Sequence, residues 1–174
     1  MLGSPTLATA LRFGVFAALQ VLVLSRVGLG SAWGAYLQPL LYPVVILLLP
    51  VGMPTVFVLL IAFALGTAVD VPLGTYGVHA AALLVTAFAR GLALALLEPR
   101  EGYAVGQSPN RATFGWRWFV SYAAILLGVH VLTYFSIEVF TFVFFGEILL
   151  RALGSFVVSL ALVILYVAVF DPRA

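Results

Sequence analysis

GTAVDVPLGTYGVHAAA, residues 66–82, decides how this chain is read. It joins the third and fourth of five or six apolar stretches. Pro72, Gly74 and Gly77 interrupt the apolar pattern, so the segment reads as helix, turn, helix. It also sets a carboxylate, Asp70, and an imidazole, His79, at that junction. An ionisable side chain within a bilayer costs about 2.5–3.5 kcal/mol when it faces lipid. Asp70 and His79 therefore need a protein partner or a water-filled cavity, and they are the first candidates for function.

The membrane setting follows from composition. Hydrophobic residues make up 64% of the 174 residues and charged residues 8%, whereas a soluble domain carries about 25% charged residues. A bilayer supplies the apolar solvent that such a chain needs, at about 20 helical residues per crossing. The sequence predicts an all-α integral membrane protein. It forms one polytopic domain over residues 1–174, with about six spans at 7–27, 36–50, 54–70, 76–97, 115–135 and 147–170. The second span carries Pro39, Pro43 and Pro50 and is expected to be broken, as a bent helix or a partly re-entrant one. The first lacks a basic n-region and a small-x-small cleavage site, so it reads as a retained helix. After it, Trp33 and Tyr36 in a glycine-rich loop fit an interfacial anchor.

All eight basic residues are Arg, the net charge is +2 and Cys is absent. No basic patch interleaved with aromatics is present to bind nucleic acid. Thiolate and disulfide chemistry are excluded. Without Lys there is no Walker A loop, and neither the intramembrane serine nor the membrane aspartyl protease pattern is met. The expectation is a protein that is not an enzyme, with no cofactor and no metal. With the N-terminus inside, Arg100, Arg111, Arg117 and Arg173 collect on the inner side, and Arg26 and Arg151 stay outside. By the positive-inside rule both termini are cytoplasmic. That placement needs an even number of crossings, and the Pro-rich second segment decides it.

The polar side chains form patterns. Ala62, Gly66 and Asp70 recur every four residues, a spacing that lets helices approach closely. Asp70 is read either as the top of a tight helix contact or as a cap ordering the turn before Pro72. His79, Thr86 and Arg90 share one helix face, Arg90 about 16 Å deeper than His79. His79 reads most simply as a polar residue satisfied near Asp70. Arg90 either snorkels or pairs inside the bundle. His130, Tyr134 and Glu138 follow one another at four-residue steps, and Glu147 and Arg151 form an i, i+4 pair continued by Ser155 and Ser159. Asp70, His79, Glu138, Glu147 and Arg151 thus share the outer half. They line either a wet pocket or docking surface, or an interfacial ring solvated by headgroups. Ala10, Gly14 and Ala18 make a further small-residue stripe on the first helix.

The order of these features resembles the rod shape-determining protein MreD family, in particular its Bacteroidetes-type members. The matching residues run from about 39 to 165. They include Tyr42-Pro43, Gly66 with Asp70, Gly77 with His79-Ala80-Ala81, Arg90, the loop Pro99-Arg100-Glu101-Gly102-Tyr103, Gly115, Trp118-Phe119, Tyr122, His130, and Glu138 with Phe140. Where the family has a second His beside His130 this chain has Val131. The resemblance implies a non-enzymatic inner-membrane scaffold of the bacterial elongation machinery. Its implied partners are an MreC-like single-span protein, the RodA glycosyltransferase and a class B penicillin-binding protein, with actin-like MreB indirectly. The implied fold is similar to the S components of energy-coupling-factor transporters. A transport subunit binding a small solute, like those S components, is the alternative, and a protein binding membrane lipids is a third. One of the small-residue stripes is expected to dock the partner's transmembrane helix.

Overall fold

A computed structural model describes residues 5–26, 37–104, 106–139 and 145–170. The elements are α1 (Pro5–Leu22), a 3-10 turn at Leu24–Arg26, α2 (Val44–Leu47), α3 (Thr55–Leu73), α4 (Val78–Leu96), α5 (Arg111–Phe114), α6 (Trp116–Val139) and α7 (Phe145–Phe170). The fold is all-α, as expected. Five of its helices, α1, α3, α4, α6 and α7, are long and apolar enough to cross a membrane. The glycine-rich loop with Trp33 and Tyr36, and Phe140, fall outside the described residues.

Two ends can be told apart by what they carry. The loop after α4, with Arg100 and Arg111, marks the Arg-rich end, and the turn at 74–77 marks the opposite end. Helices α3 and α4 are antiparallel and meet at Gly66, where the α4 backbone comes against the α3 backbone. A Cβ added at Gly66 falls 2.7 Å from Ala80 N and 3.0 Å from Ala80 Cβ, so only glycine permits this approach. Gly66→Ala is expected to push the helices apart at a cost of about 1–3 kcal/mol. A melting temperature within 1 °C of wild type in thermal unfolding in detergent would contradict the contact. Helix α6 runs antiparallel to α4, through Thr86–His130 and Arg90–Tyr122, and α7 returns beside it. Helix α3 continues through Pro72 to Leu73 and closes on Gly74 at φ 67°, whose N–H donates to Asp70 O at 2.8 Å. Left-handed glycine is the usual helix stop.

The second segment is the unusual one. Only Val44–Leu47 is helical, yet Leu40 to Leu49 are all buried at the centre of the molecule. Gln38 lies level with Tyr134 and Ser155, toward the turn end. Val51 donates to Gln107 O at 2.8 Å, at the Arg-rich end. The chain from 38 to 51 therefore passes through the bundle. It is neither a full-length bent helix nor a re-entrant hairpin. The prolines explain the lack of helix: Pro39 and Pro43 remove two backbone donors within five residues and disfavour helix in the residues before them. The five long helices and this broken segment run in alternating direction, so the described ends of α1 and α7, Pro5 and Phe170, lie at the same end.

Candidate functional site

Unwound backbone is tolerated at membrane depth only where protein surrounds it and supplies its hydrogen bonds. The buried polar side chains of this chain are arranged to do that. On α1, the Gln20 amide donates to Pro39 O at 3.1 Å and accepts from Leu41 N at 3.0 Å. On α7, Ser159 Oγ accepts from Leu40 N at 2.8 Å and Ser155 Oγ from Gln38 N at 3.0 Å. The match is geometric: four residues of helix rise about 6.0 Å, and two residues of extended chain about 6.6 Å. Two serines at i, i+4 thus meet the N–H groups of alternate residues on the neighbouring chain. Farther along, Tyr122 donates to Leu47 O at 3.1 Å. Arg90 Nη2 donates to Leu49 O at 2.6 Å and Pro50 O at 3.1 Å, and Arg90 Nε to Tyr122 Oη at 3.1 Å. Arg90 is 3% exposed, so it pairs inside the bundle and does not snorkel. Its cation meets two carbonyls just past α2, where the backbone is no longer helical.

The middle of the crossing is tied by Tyr42, which donates to His130 Nε2 at 2.8 Å. Thr86 gives its single hydroxyl proton to Ala82 O at 2.7 Å, so its 3.0 Å contact with His130 Nδ1 requires Nδ1–H. His130 is then the neutral tautomer with Nε2 free to accept, which is the role Tyr42 needs.

At the turn end, Asp70 fulfils both of its sequence readings. Its Oδ2 accepts from Ala80 N at 2.8 Å and its Oδ1 from His79 N at 3.1 Å. It thereby caps α4 from the neighbouring helix, since Gly77, the residue preceding α4, has no side chain to do so. Thr75 donates its hydroxyl proton to Asp70 Oδ1. His79 Nδ1 lies 3.0 Å from both Asp70 Oδ1 and Thr75 Oγ, so it carries the proton. His79 Nε2 is buried without a hydrogen-bond partner, beside the rings of Tyr42 and Tyr134. Within the 74–77 turn Tyr76 adopts φ 49° and is fully exposed. At such a φ a non-glycine residue is uncommon.

Of the ionisable residues of the outer half, the four whose side chains are described do not share the cavity at this end. Asp70 and His79 close on each other, Glu138 is exposed on α6, and Arg151 is half-buried on α7. Glu147 lies in α7, its side chain outside the described residues. A cavity of about 470 Å³ at this end takes in Asp70, beside Phe63, Thr67 and Tyr76, but not His79, Glu138 or Arg151. The small-residue stripes divide likewise. Gly66 serves the α3–α4 contact, Ala62 is buried, and Ser155 and Ser159 serve the crossing. Ala10, Gly14 and Ala18 stay exposed on α1, with open space around Gly14.

Gln20 is the residue that the sequence patterns passed over. Its signal was present: a primary amide in an apolar helix must find a partner. At the Arg-rich end, Trp118 Nε1 donates to Leu97 O and Tyr103 to Leu94 O, both at 2.7 Å, which satisfies carbonyls at the end of α4. Among the described residues no group of three His, Cys, Asp or Glu is placed to hold a metal. Comparison with family models, with curated proteins and with solved structures finds no match.

Proposed function

We propose that this chain is an MreD-type scaffold of the bacterial inner membrane. In that role it binds an MreC-like single-span partner and, through it or directly, RodA and a class B penicillin-binding protein, with MreB engaged indirectly. Both termini are then cytoplasmic, and the arrangement of helices is of the S-component kind. One observation carries the reading. Ten of the residues on which the resemblance rests meet in pairs: Tyr42 with His130, Gly66 with Ala80, Asp70 with His79, Arg90 with Tyr122, Tyr103 with Trp118.

The reading also explains the economy of the interior. The polar side chains bind the protein's own backbone, which leaves the outer faces as working surfaces. The α1 stripe of Ala10, Gly14 and Ala18 is the small-residue face left open to a partner helix. The test is copurification of the tagged chain with its neighbouring gene products from detergent-solubilised membranes. A stoichiometric single-span protein with a large periplasmic domain supports the scaffold. An ATPase pair or a bound solute in its place overturns it. Gly14→Ile is expected to cut partner recovery severalfold with folding intact, because nothing lies within 4 Å of a Cβ there. Unchanged recovery removes this stripe from the interface.

A further inference from the structure

The cavity of about 470 Å³ at the turn end lies along α3 and the start of α4. Asp70 and Ala80 line it, with the aromatic side chains of Phe63 and Tyr76. We propose that it binds a primary ammonium group carried on an apolar stem, with the Asp70 carboxylate as its counter-charge.

Three observations point to an ammonium group. First, Asp70 is a buried acid without a cation. It accepts from Thr75, His79 N, His79 Nδ1 and Ala80 N, the role of an ionised carboxylate. His79, its ion-pair contact among the described residues, is neutral, because an imidazolium would bury a second N–H at Nε2 with nothing to accept it. A buried charge ordinarily has a counter-charge. Second, the carboxylate has capacity on the cavity side. Oδ1 takes the bonds from Thr75 and His79, which do not line the cavity, whereas Oδ2 takes one bond, from Ala80 N, which does. A carboxylate offers about four acceptor sites over its two oxygens, so Oδ2 can accept one more N–H. Third, the other walls suit a cation on a stem. Tyr76 is fully exposed at φ 49°, so the protein's own packing gives no reason for an aromatic residue there. Aromatic rings attract ammonium groups. Phe63 lies about 10 Å along α3 from Asp70, and both it and Val71 are more than half exposed. The cavity therefore leads from a carboxylate at the turn to apolar surface farther down the helix. An aminolipid headgroup and a soluble alkylamine share this chemistry.

The experiment is native mass spectrometry of the full chain released from nanodiscs of equal phosphatidylethanolamine and phosphatidylglycerol, with helicity and elution volume as checks of folding. Thermal unfolding in an uncharged maltoside detergent, with n-butylamine or n-butanol added, reads a soluble amine. If the source is a lipid, the wild type retains phosphatidylethanolamine in preference to phosphatidylglycerol. If it is a soluble amine, butylamine raises the melting temperature, butanol does not, and neither lipid is preferred. Val71→Trp, at an exposed position, fills the cavity and is expected to abolish either signal. Tyr76→Gly removes the ring and relieves the positive φ, so it is expected to weaken binding about two- to fivefold without loss of stability. A wild type that shows neither signal overturns the proposal, as does a response to butanol equal to that to butylamine. Folded Val71→Trp and Tyr76→Gly variants that bind like the wild type overturn it as well, and so does a folded Asp70→Asn that keeps the preference for the amine.

Discussion

Arg90→Leu is expected to destabilise the protein by about 3 kcal/mol, since each buried group left without its partner costs about 1–3 kcal/mol. The substitution keeps an apolar side chain in place but strips the crossing of its anchor at the Arg-rich end. Leu49 O and Pro50 O lose their donor, and Tyr122 loses the group that orients it toward Leu47 O. Arg90→Lys should recover part of the loss, since it restores a charge without the planar fork that serves two carbonyls and a phenol together. Thermal unfolding in detergent reads both. The expected order is wild type, then Lys, then Leu, with Leu lower by about 10 °C. A Leu variant as stable as wild type would mean that the crossing does not depend on Arg90.

Asp70→Asn is the second large effect, about 3 kcal/mol. The carboxylate accepts from Thr75, His79 N, His79 Nδ1 and Ala80 N. An asparagine keeps one acceptor oxygen and turns an NH2 group toward donors, so at least one N–H of the first turn of α4 is left unpaired. The 74–77 turn, which holds Tyr76 at a positive φ, is expected to relax with it. Glu147→Gln, on the side chain that sequence pattern alone ranks beside Asp70, is expected to change stability by less than about 0.5 kcal/mol. Limited proteolysis at the turn together with the melting temperature checks this. Equal effects of the two substitutions would contradict the capping role.

These residues also show what the sequence could disclose. Helix number, order and approximate bounds were legible because apolar run length is set by bilayer thickness, a local property. The break in the second segment was legible from Pro39 and Pro43, because a missing N–H is local as well. How the break is repaired was not. Ser155 and Ser159 read as a packing stripe, yet their hydroxyls serve Gln38 and Leu40, more than a hundred residues earlier. Sequence spacing records which residues share a helix face but not what that face meets. The same holds for Arg90, for which snorkelling and internal pairing share one pattern. Equal depth along separate helices does not say which side chains meet, and Asp70 found its donors at the start of α4.

The sixth pass is the feature on which the rest depends, and topology measures it directly. Compartment-sensitive reporters fused to the two ends of the full chain, with a cysteine introduced at Tyr76 for impermeant labelling, suffice because the chain has no cysteine of its own. If the broken segment crosses, both reporters answer on one side and Cys-substituted Tyr76 labels from the other. If the reporters answer on opposite sides, the segment does not cross, and the backbone clasp of Gln20, Ser155, Ser159 and Arg90 is not the arrangement in the membrane.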